Sequence, residues 1–506
     1  MKSSTLTRII ALIFAIVMAL SVVACTNDPD KNKETEKPTE AVTDPDGTKD
    51  PSSNESESVE ETYIPVSTTY EEGTTITFIF PDAATQHKYT ISNDIWIESM
   101  TGDVLADAVW KRNELLRTTT GITVNYIQCG TNPLNDLKTD QQSGDYLIDV
   151  AGPTYNNVSS LFNNQMIADI NTMNLDMSYS WFDDNCADIF TVKGKQFAMS
   201  STITYLDKVS CPAVIFNSTL VEDNQFGDLY QMVVDKTWTW DEMLRMAEVV
   251  TSGNEDDGEY TMDDFYGISS QNDFSYYMLH STGLTSTVKN PKGEFVYNGM
   301  NETLVDCLED IFTVMANPKL FFNRQSTVGK QEIPAVLEHF AAGKSLFLIR
   351  PVEALFGLRD KTDEFGVIPM PRYTETQEEY YSATNTYVAA ATCFPVYLQN
   401  QQKVVDAIQV LAMNSSKLVM PALYDICLGS RLVNDKNASA MLDIIFLNKV
   451  YDFGFIFNFA NVRALIVQTG NFSKAAAGIS TTLASIDRNM EQKIRLFMQQ
   501  VDNYNK

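Results

Sequence analysis

The sequence predicts an α/β protein with parallel sheets, because strand-like and helix-like segments alternate along the chain. "TTITFIF" is a β-rich run that ends at Pro81, and a helical pattern follows over residues 104–118. "GITVNYI" and "YLIDVAG" read as further strands, and "NNVSSLFNNQMIADI" reads as another helix. Roughly 440 residues follow Tyr70, too many for one hydrophobic core, so we expect two domains.

The first 24 residues are typical of a secretory signal. Lys2 and Arg8 make a basic start, and residues 9–24 are almost wholly apolar. The cleavage region "VVAC" resembles the lipobox of bacterial lipoproteins, which implies that Cys25 carries a lipid. Ordinary cleavage nearby is the alternative. We therefore expect a membrane attachment through a lipid anchor alone.

Residues 25–69 form a predicted disordered, acidic linker. Between Thr26 and Thr62 there is no aromatic residue and no Leu, Ile or Met, while twelve Asp and Glu stand against four Lys. Such a segment cannot bury enough apolar surface to offset the entropy of ordering. The whole chain has a net charge of −29, and this argues against nucleic acid as a partner, since phosphate binding needs clustered Lys and Arg.

Candidate catalytic and metal-binding residues are sparse. The three histidines are scattered, and no GxSxG, HExxH, Walker loop or GxGxxG occurs. We therefore expect no metal, no cofactor and no enzymatic activity. Paired acids such as those of "FDDNCAD" (182–188) leave a glycosidase open as an alternative. The six cysteines after Cys25 have no close spacing and are predicted to be mostly buried thiols, at positions 129, 186, 211, 307, 393 and 427.

The stretch "TWTWDEM" (237–243) combines aromatic and acidic residues, which suggests either a ligand site or a helix start. Thr239 and Glu242 fit a capping box, and Trp238 and Met243 fit the two positions of a hydrophobic staple. We interpret the stretch as a helix start, with Asp241 paired to the arginine one turn on. A ligand contact by one of the tryptophans is the alternative.

A series of motifs around this stretch resembles the extracellular solute-binding proteins of ABC importers, the group that includes maltose-binding protein. The motifs are "KGKQFAMS" with "CPAVIFNSTLVED", then "TWTWDEM", "DDFYGISS", "HFAAGKSLFLI" and "EFGVIPMPR". Their order and spacing match over roughly residues 75 to 506. The resemblance implies a two-lobed periplasmic-binding-protein-like fold of the class II type, with a hinge and a cleft between the lobes.

The resemblance also implies where the lobes divide. Lobe 1 would contain residues 70–203 and 384–430, and lobe 2 would contain residues 204–383 and 431–506. The crossing segments would then lie near 201–209, near 380–385 and near 429–433.

Carried onto this sequence, the cleft loops of the family match eight residues that we predict to bind ligand: Asp82, Tyr155, Asn156, Tyr205, Asn272, Phe274, Arg350 and Glu353. The loop after "SLFLI" departs from the pattern of sugar-binding relatives, because Arg350, Pro351 and Val352 stand where a tryptophan is common. An arginine here could meet an acidic sugar or a carboxylate, or form a salt bridge within its lobe.

The expected function is that of a monomeric receptor anchored by lipid at the extracellular face of the cell membrane. It would capture a small solute, most simply a sugar or oligosaccharide, and deliver it to the permease subunits of an ABC transporter. Two alternatives remain open at this point: a secreted carbohydrate-active enzyme, and a binding protein for peptides or other solutes on the same fold.

Overall fold

The computed structural model describes residues 66–81, 94–251, 260–261, 263–323, 332–358, 365–432 and 436–504. Its first part alternates strands and helices as predicted: β1 (Thr75–Pro81), α1 (Val104–Thr120), β2 (Thr123–Cys129), α2 (Leu134–Ser143), β3 (Val150–Ala151) and α3 (Tyr155–Asn163). The three strands form a parallel sheet in the order β2-β1-β3. Helix α1 begins at Asp103, whose carboxylate accepts from the Ala106 amide, and ends before Gly121, whose φ is 83°.

The middle of the chain builds a second sheet. It contains a 3₁₀ turn (Ile170–Thr172), α4 (Asp184–Phe190), β4 (Thr191–Val192), β5 (Lys195–Gln196), α5 (Leu206–Val209), β6 (Pro212–Asn217), α6 (Ser218–Asp223), α7 (Leu229–Val234), α8 (Trp240–Thr251), β7 (Tyr266–Ser269), α9 (Phe274–Ser281), β8 (Thr287–Lys289), β9 (Phe295–Tyr297), α10 (Glu302–Met315), β10 (Phe321–Phe322), α11 (Glu332–Ala341), β11 (Ser345–Pro351), α12 (Ala354–Leu358) and β12 (Phe365–Ile368). Five of these strands pair in the order β10-β7-β11-β6-β12.

The five-stranded sheet is mixed rather than wholly parallel, which corrects the prediction. β7, β10, β11 and β12 share one direction, whereas β6 runs antiparallel to both of its neighbours. β6 is antiparallel because the chain enters this strand at the end of the sheet where β11 finishes. Pro212 at the start of β6 therefore pairs with Pro351 at the end of β11. The start of β6 and the end of β11 therefore lie together.

Both faces of the five-stranded sheet are covered. Every residue of β6 and β11 is buried, as expected for central strands with helices on both sides. Alternate residues enter different cores: Phe347 and Ile349 pack in the cluster that contains Met243 of α8, while Leu348 packs in the cluster that contains Val336 of α11. The sheet thus separates two layers of helices.

The last part of the chain returns to the first sheet and then adds helices. It contains β13 (Ser382–Ala383), α13 (Gln401–Asn414), a π-helical turn (Ser415–Val419), α14 (Met420–Leu432), α15 (Lys436–Leu447), β14 (Lys449–Val450), α16 (Phe453–Ile456), a 3₁₀ turn (Phe459–Asn461), α17 (Val462–Ile466) and α18 (Phe472–Asn503). Residue Cys393 exchanges two backbone hydrogen bonds of 2.8 Å with Ala151 of β3.

The expected third crossing near residues 429–433 needs correction. Residues up to Leu432 belong to α14, because Gly429 does not end the helical pattern there. The strand that pairs with β13 is β14, in which Ser382 lies opposite Lys449. The lobe boundaries taken from the resemblance stay predictions.

The stretch around Trp238 is a helix start, as interpreted from the sequence. The Glu242 amide donates to Thr239 Oγ1 at 3.3 Å, while Trp238 and Met243 have no exposed surface and share one core cluster. The Trp238 indole donates to the Pro369 carbonyl at 3.0 Å. One detail differs, since Arg245 pairs with Glu242 at 2.7 Å rather than with an aspartate.

Two general features concern cysteines and membrane spans. The six cysteines after Cys25 are all buried and free of disulfides, which confirms the prediction of buried thiols. Within the described ranges, no helix is both long and apolar enough to cross a membrane.

Candidate functional site

The strand ends of the five-stranded sheet bring two predicted loops to one edge. β7 and β11 are parallel and pair Ser269 with Leu348, so Asn272, which follows β7, and Arg350, near the end of β11, lie at the same edge. The segment that leads into β6 meets this edge too, because the Glu353 amide donates to the Val209 carbonyl at 2.9 Å. In α/β proteins ligands bind at such carboxyl ends of strands.

Arg350 and Glu353 form a buried pair at this edge. Arg350 Nη2 lies 3.4 Å from Glu353 Oε1, and the two side chains are 3% and 5% exposed. Among the described residues, Arg350 Nε and Nη1 have no hydrogen-bond partner. A buried guanidinium is costly unless its donors are satisfied. The pair therefore salt-bridges within the sheet edge, and two donors of Arg350 are left without a partner among the described residues.

Tyr277 of α9 lies beside this pair. Its hydroxyl accepts from Asn385 Nδ2 at 3.0 Å. Burial raises the pKa of Tyr277 well above its usual value; the Asp273 carboxylate raises it further, and Arg350 opposes this shift. Tyr277 is therefore a neutral phenol that joins the sheet edge to residue 385. We call Asn272, Tyr277, Arg350, Glu353 and Asn385 the edge cluster.

Residues 384–387, called here the connecting turn, link the edge cluster to the three-stranded sheet. The Tyr276 hydroxyl donates to the Thr384 carbonyl at 3.0 Å, and the Asn156 amide donates to the Thr386 carbonyl at 3.1 Å. The hydroxyls of Thr384 and Thr386 are buried and have no partner among the described residues. The turn thus gathers unsatisfied polar groups between the loops that follow the two sheets.

The connecting turn ends in an exposed aromatic ring. Tyr387 is 43% exposed, and the Arg463 guanidinium lies 5.8 Å from its ring centroid. Arg463 Nη2 also donates to the Asn156 carbonyl at 3.2 Å. An arginine from the C-terminal helices therefore joins the Tyr387 ring to the loop after β3.

The structure brings together four of the eight predicted residues. Asn272, Arg350 and Glu353 share the strand edge, and Asn156 contacts the connecting turn. The Asn272 side chain accepts from Asn323 Nδ2 at 2.7 Å. These positions agree with a role in binding, which stays a prediction. Asp82 lies outside the described residues.

The three predicted aromatic residues occupy packed positions instead. Tyr155 has no exposed surface, and its hydroxyl lies 3.5 Å from Cys186 Sγ. Phe274 is buried with its ring centroid 4.9 Å from that of Phe321, and Tyr205 is buried in the largest core cluster. Their rings fill cores in this conformation, because helix starts at strand ends direct the first side chains inward. Their predicted role in binding stays untested.

Sequence reasoning missed Tyr277, Asn385, Tyr387 and Arg463. Tyr277 lies one helical turn after Phe274, so the motif "SQNDF" identified the helix that carries it but not the residue. Asn385 and Tyr387 lie at a predicted crossing, and Arg463 arrives from the far end of the chain. Spacing along the sequence does not predict that residues so far apart in the chain lie close together.

A buried ion cluster supports the segment that leads into β6. Lys449 Nζ contacts Asp183 at 2.5 Å and also contacts Asp207, while Lys208 Nζ lies 3.2 Å from Asp207. Burial alone would raise the pKa of Asp207, but the charges of Lys208 and Lys449 lower it to about 2. Asp183 belongs to the acidic stretch that suggested a glycosidase, and here it serves as an ion-pair partner and as the cap of α4.

Comparisons with known proteins show the fold. No family model matches the sequence, and no curated protein matches it. A cyclo/maltodextrin-binding protein in complex with maltotetraose is similar over 83% of this chain and 97% of its own, at 14% identity and a TM-score of 0.53. The chain has the two-lobed α/β fold of this protein.

Two other solved structures agree. An ABC substrate-binding protein of Listeria monocytogenes in complex with cycloalternan matches 82% of this chain and 99% of its own, with 13% identity and a TM-score of 0.51. The GacH receptor of Streptomyces glaucescens, solved unliganded and with acarbose, matches 86% and 100%, with 12% identity and a TM-score of 0.50.

Proposed function

We propose that the protein is a solute-binding receptor of an ABC transporter that captures an oligosaccharide between its two lobes. Lipid at Cys25 would hold it at the extracellular face of the cell membrane, and residues 25–69 would act as the tether. It would act as a monomer, deliver the solute to permease subunits and make or break no bond itself.

The unsatisfied polar groups around the connecting turn carry this proposal. Buried polar groups in native proteins nearly always have partners, so the free donors of Arg350 and the hydroxyls of Thr384 and Thr386 call for a ligand. A sugar offers many hydroxyls that both donate and accept. The fold adds support, because three proteins that share it were solved with maltotetraose, cycloalternan or acarbose.

Lobe closure is the mechanism that we propose. The connecting turn contacts the start of α3 through Thr386 and helix α9 through Asn385, so a ligand beside it would touch both sides. A ligand shifts an equilibrium between open and closed states by its difference in affinity for the two. Contacts to both sides at once provide that difference.

A thermal-shift screen of the full-length protein tests the proposal. The panel contains maltotetraose, cycloalternan and acarbose, with uronic acids, peptides and amino acids as competing classes. A ligand at 100 times its Kd should stabilise the protein by about 2.7 kcal/mol and raise the melting temperature. The same mixtures are then analysed for products. Stabilisation by peptides alone would contradict the choice of solute, and release of cleaved sugar would contradict the receptor.

A further inference from the structure

Tyr387 differs from its neighbours in exposure. Thr384, Asn385 and Thr386 are buried, and Val388 is 2% exposed, whereas 43% of Tyr387 is accessible. Large aromatic side chains are generally buried, so an exposed ring beside buried polar groups needs an explanation. Its position two residues after Asn385 places it next to the edge cluster.

The ring is held in place although it is exposed. The Tyr387 amide donates to Asn385 Oδ1 at 3.0 Å, which fixes the end of the connecting turn. Arg463 lies against the ring, and its own Nε donates to the Phe455 carbonyl at 2.6 Å. A ring that is already ordered loses little conformational entropy when a ligand covers it.

The backbone that presents Arg463 is unusual. Asn458, Ala460 and Asn461 adopt φ values of 50°, 49° and 62°, and this left-handed region is disfavoured for alanine. The Asn458 side chain accepts from the Arg463 amide at 3.3 Å, so this loop sets the start of the segment that carries the guanidinium. Such conformations persist where the surrounding structure determines them, and they cluster at ligand sites.

We propose that Tyr387 is the platform on which a pyranose unit of the ligand stacks, and that Arg463 is the residue that positions it. This inference rests on the proposed function. A pyranose presents an apolar face of C–H groups and an edge of hydroxyls. Tyr387 matches the face, while Asn385, Arg350 and the threonine hydroxyls of the connecting turn match the edge. Ligands without such a face, including peptides, would gain nothing from the ring.

Calorimetric titration of the full-length protein with maltotetraose, cycloalternan and acarbose tests this role in four variants. Tyr387→Ala and Tyr387→Leu remove the flat ring, Tyr387→Phe keeps it, and Tyr146→Ala is the matched control. Tyr146 is 40% exposed and precedes β3, whereas Asn156 follows it, so the two residues lie beyond opposite ends of this strand. The melting temperature of each unliganded variant reports on folding.

Tyr387→Ala and Tyr387→Leu should bind the sugar about tenfold more weakly, whereas Tyr387→Phe should stay within about threefold of the unaltered protein. Tyr146→Ala should bind as the unaltered protein does. An affinity of Tyr387→Ala within twofold of the unaltered protein would overturn the inference and leave the proposed function standing. Failure of the unaltered protein to bind any of the three sugars would overturn both, and this is visible without any variant.

Discussion

The start of helix α8 and the connecting turn both place aromatic residues beside polar ones, yet their environments differ. At the helix start, Trp238 is fully buried, its indole bonds to Pro369, and Thr239 caps the helix. At the connecting turn, Tyr387 is exposed, and the hydroxyl of Thr384 has no partner in the described part of the chain. The same classes of residue thus have hydrogen-bond partners in the first region and lack some of them in the second.

This difference in hydrogen bonding distinguishes residues that stabilise the fold from residues that are available to bind a ligand. A group whose partners are all local contributes to folding and has nothing left for a ligand. A buried group without partners costs free energy in the unliganded protein, and a ligand can recover that cost. The tryptophans of "TWTWDEM" attract attention in the sequence, but the connecting turn carries the features of a binding site.

The largest expected effect concerns the start of helix α8, where the indole of Trp238 has a hydrogen-bond partner. Trp238→Ala leaves a cavity in the core and removes the bond to Pro369, so the free energy of unfolding should fall by about 3–5 kcal/mol. Sugar affinity of the folded fraction should not change. Urea unfolding and calorimetric titration measure the two quantities. A loss of affinity comparable to that of Tyr387→Ala would remove the distinction between the regions.

A second prediction uses the buried ion cluster, in which every charge has a partner. The pKa of Asp207 in the folded protein is about 2, against an ordinary value of 3.8. Because the folded value is the lower one, the carboxylate stabilises the protein above pH 3.8, and this stabilisation is lost as the pH falls through 2. The contribution at neutral pH is about 2 kcal/mol.

Asp207→Asn should therefore flatten the fall in unfolding free energy between pH 4 and pH 2, measured by urea unfolding across that range. Asp241→Asn is the control, because Asp241 is an exposed acid on the first turn of α8. An unchanged slope in the Asp207 variant would show that the ion cluster contributes no such pH dependence.

The third prediction concerns Arg350, whose Nε and Nη1 have no hydrogen-bond partner among the described residues. Arg350→Met removes one partner of a buried ion pair and leaves the Glu353 carboxylate behind, so unfolding free energy should fall by about 1–3 kcal/mol, and sugar affinity of the folded protein should fall about tenfold. Sugars that carry a carboxylate should lose more than neutral ones. Titrations with maltotetraose and with an oligogalacturonate measure this difference. Equal losses would exclude a direct contact between Arg350 and a ligand anion.

A control for this variant addresses Glu353, whose contact with Arg350 is lost when Arg350 is replaced. The double variant Arg350→Met with Glu353→Gln removes both charges. If its stability exceeds that of Arg350→Met while its sugar affinity stays low, the loss of binding belongs to the arginine and not to the buried carboxylate that faced it.

Much of the fold could be predicted from the chain. The strands around "TTITFIF" and "SLFLI", the cap at Thr239 and the buried cysteines follow from local patterns. The direction of β6 could not, because strand direction depends on where the chain enters the sheet. The same limit applies to α14, which continues through Gly429 where a crossing was expected.

The site was predictable in part. The loops after β7 and β11 were identified correctly as neighbours, since parallel strands end at one edge, and Arg350 and Glu353 do contact one another. The orientation of the aromatic residues was not predictable. Tyr155 follows a strand as a binding residue would, but its side chain turns into the core between Phe190 and Tyr451. Position after a strand does not determine which way a ring points.

By itself the sequence determined the local segments: the alternation of strands and helices, the cap at Thr239 and the loops at the strand ends. These follow from composition and periodicity, which act over a few residues. The tertiary structure decided which polar groups lack partners among the described residues, Arg350 and Thr384 included, because it joins parts of the chain that are far apart in sequence. Satisfaction of hydrogen bonds is a property of the packed molecule, and it is the property on which the proposed site rests.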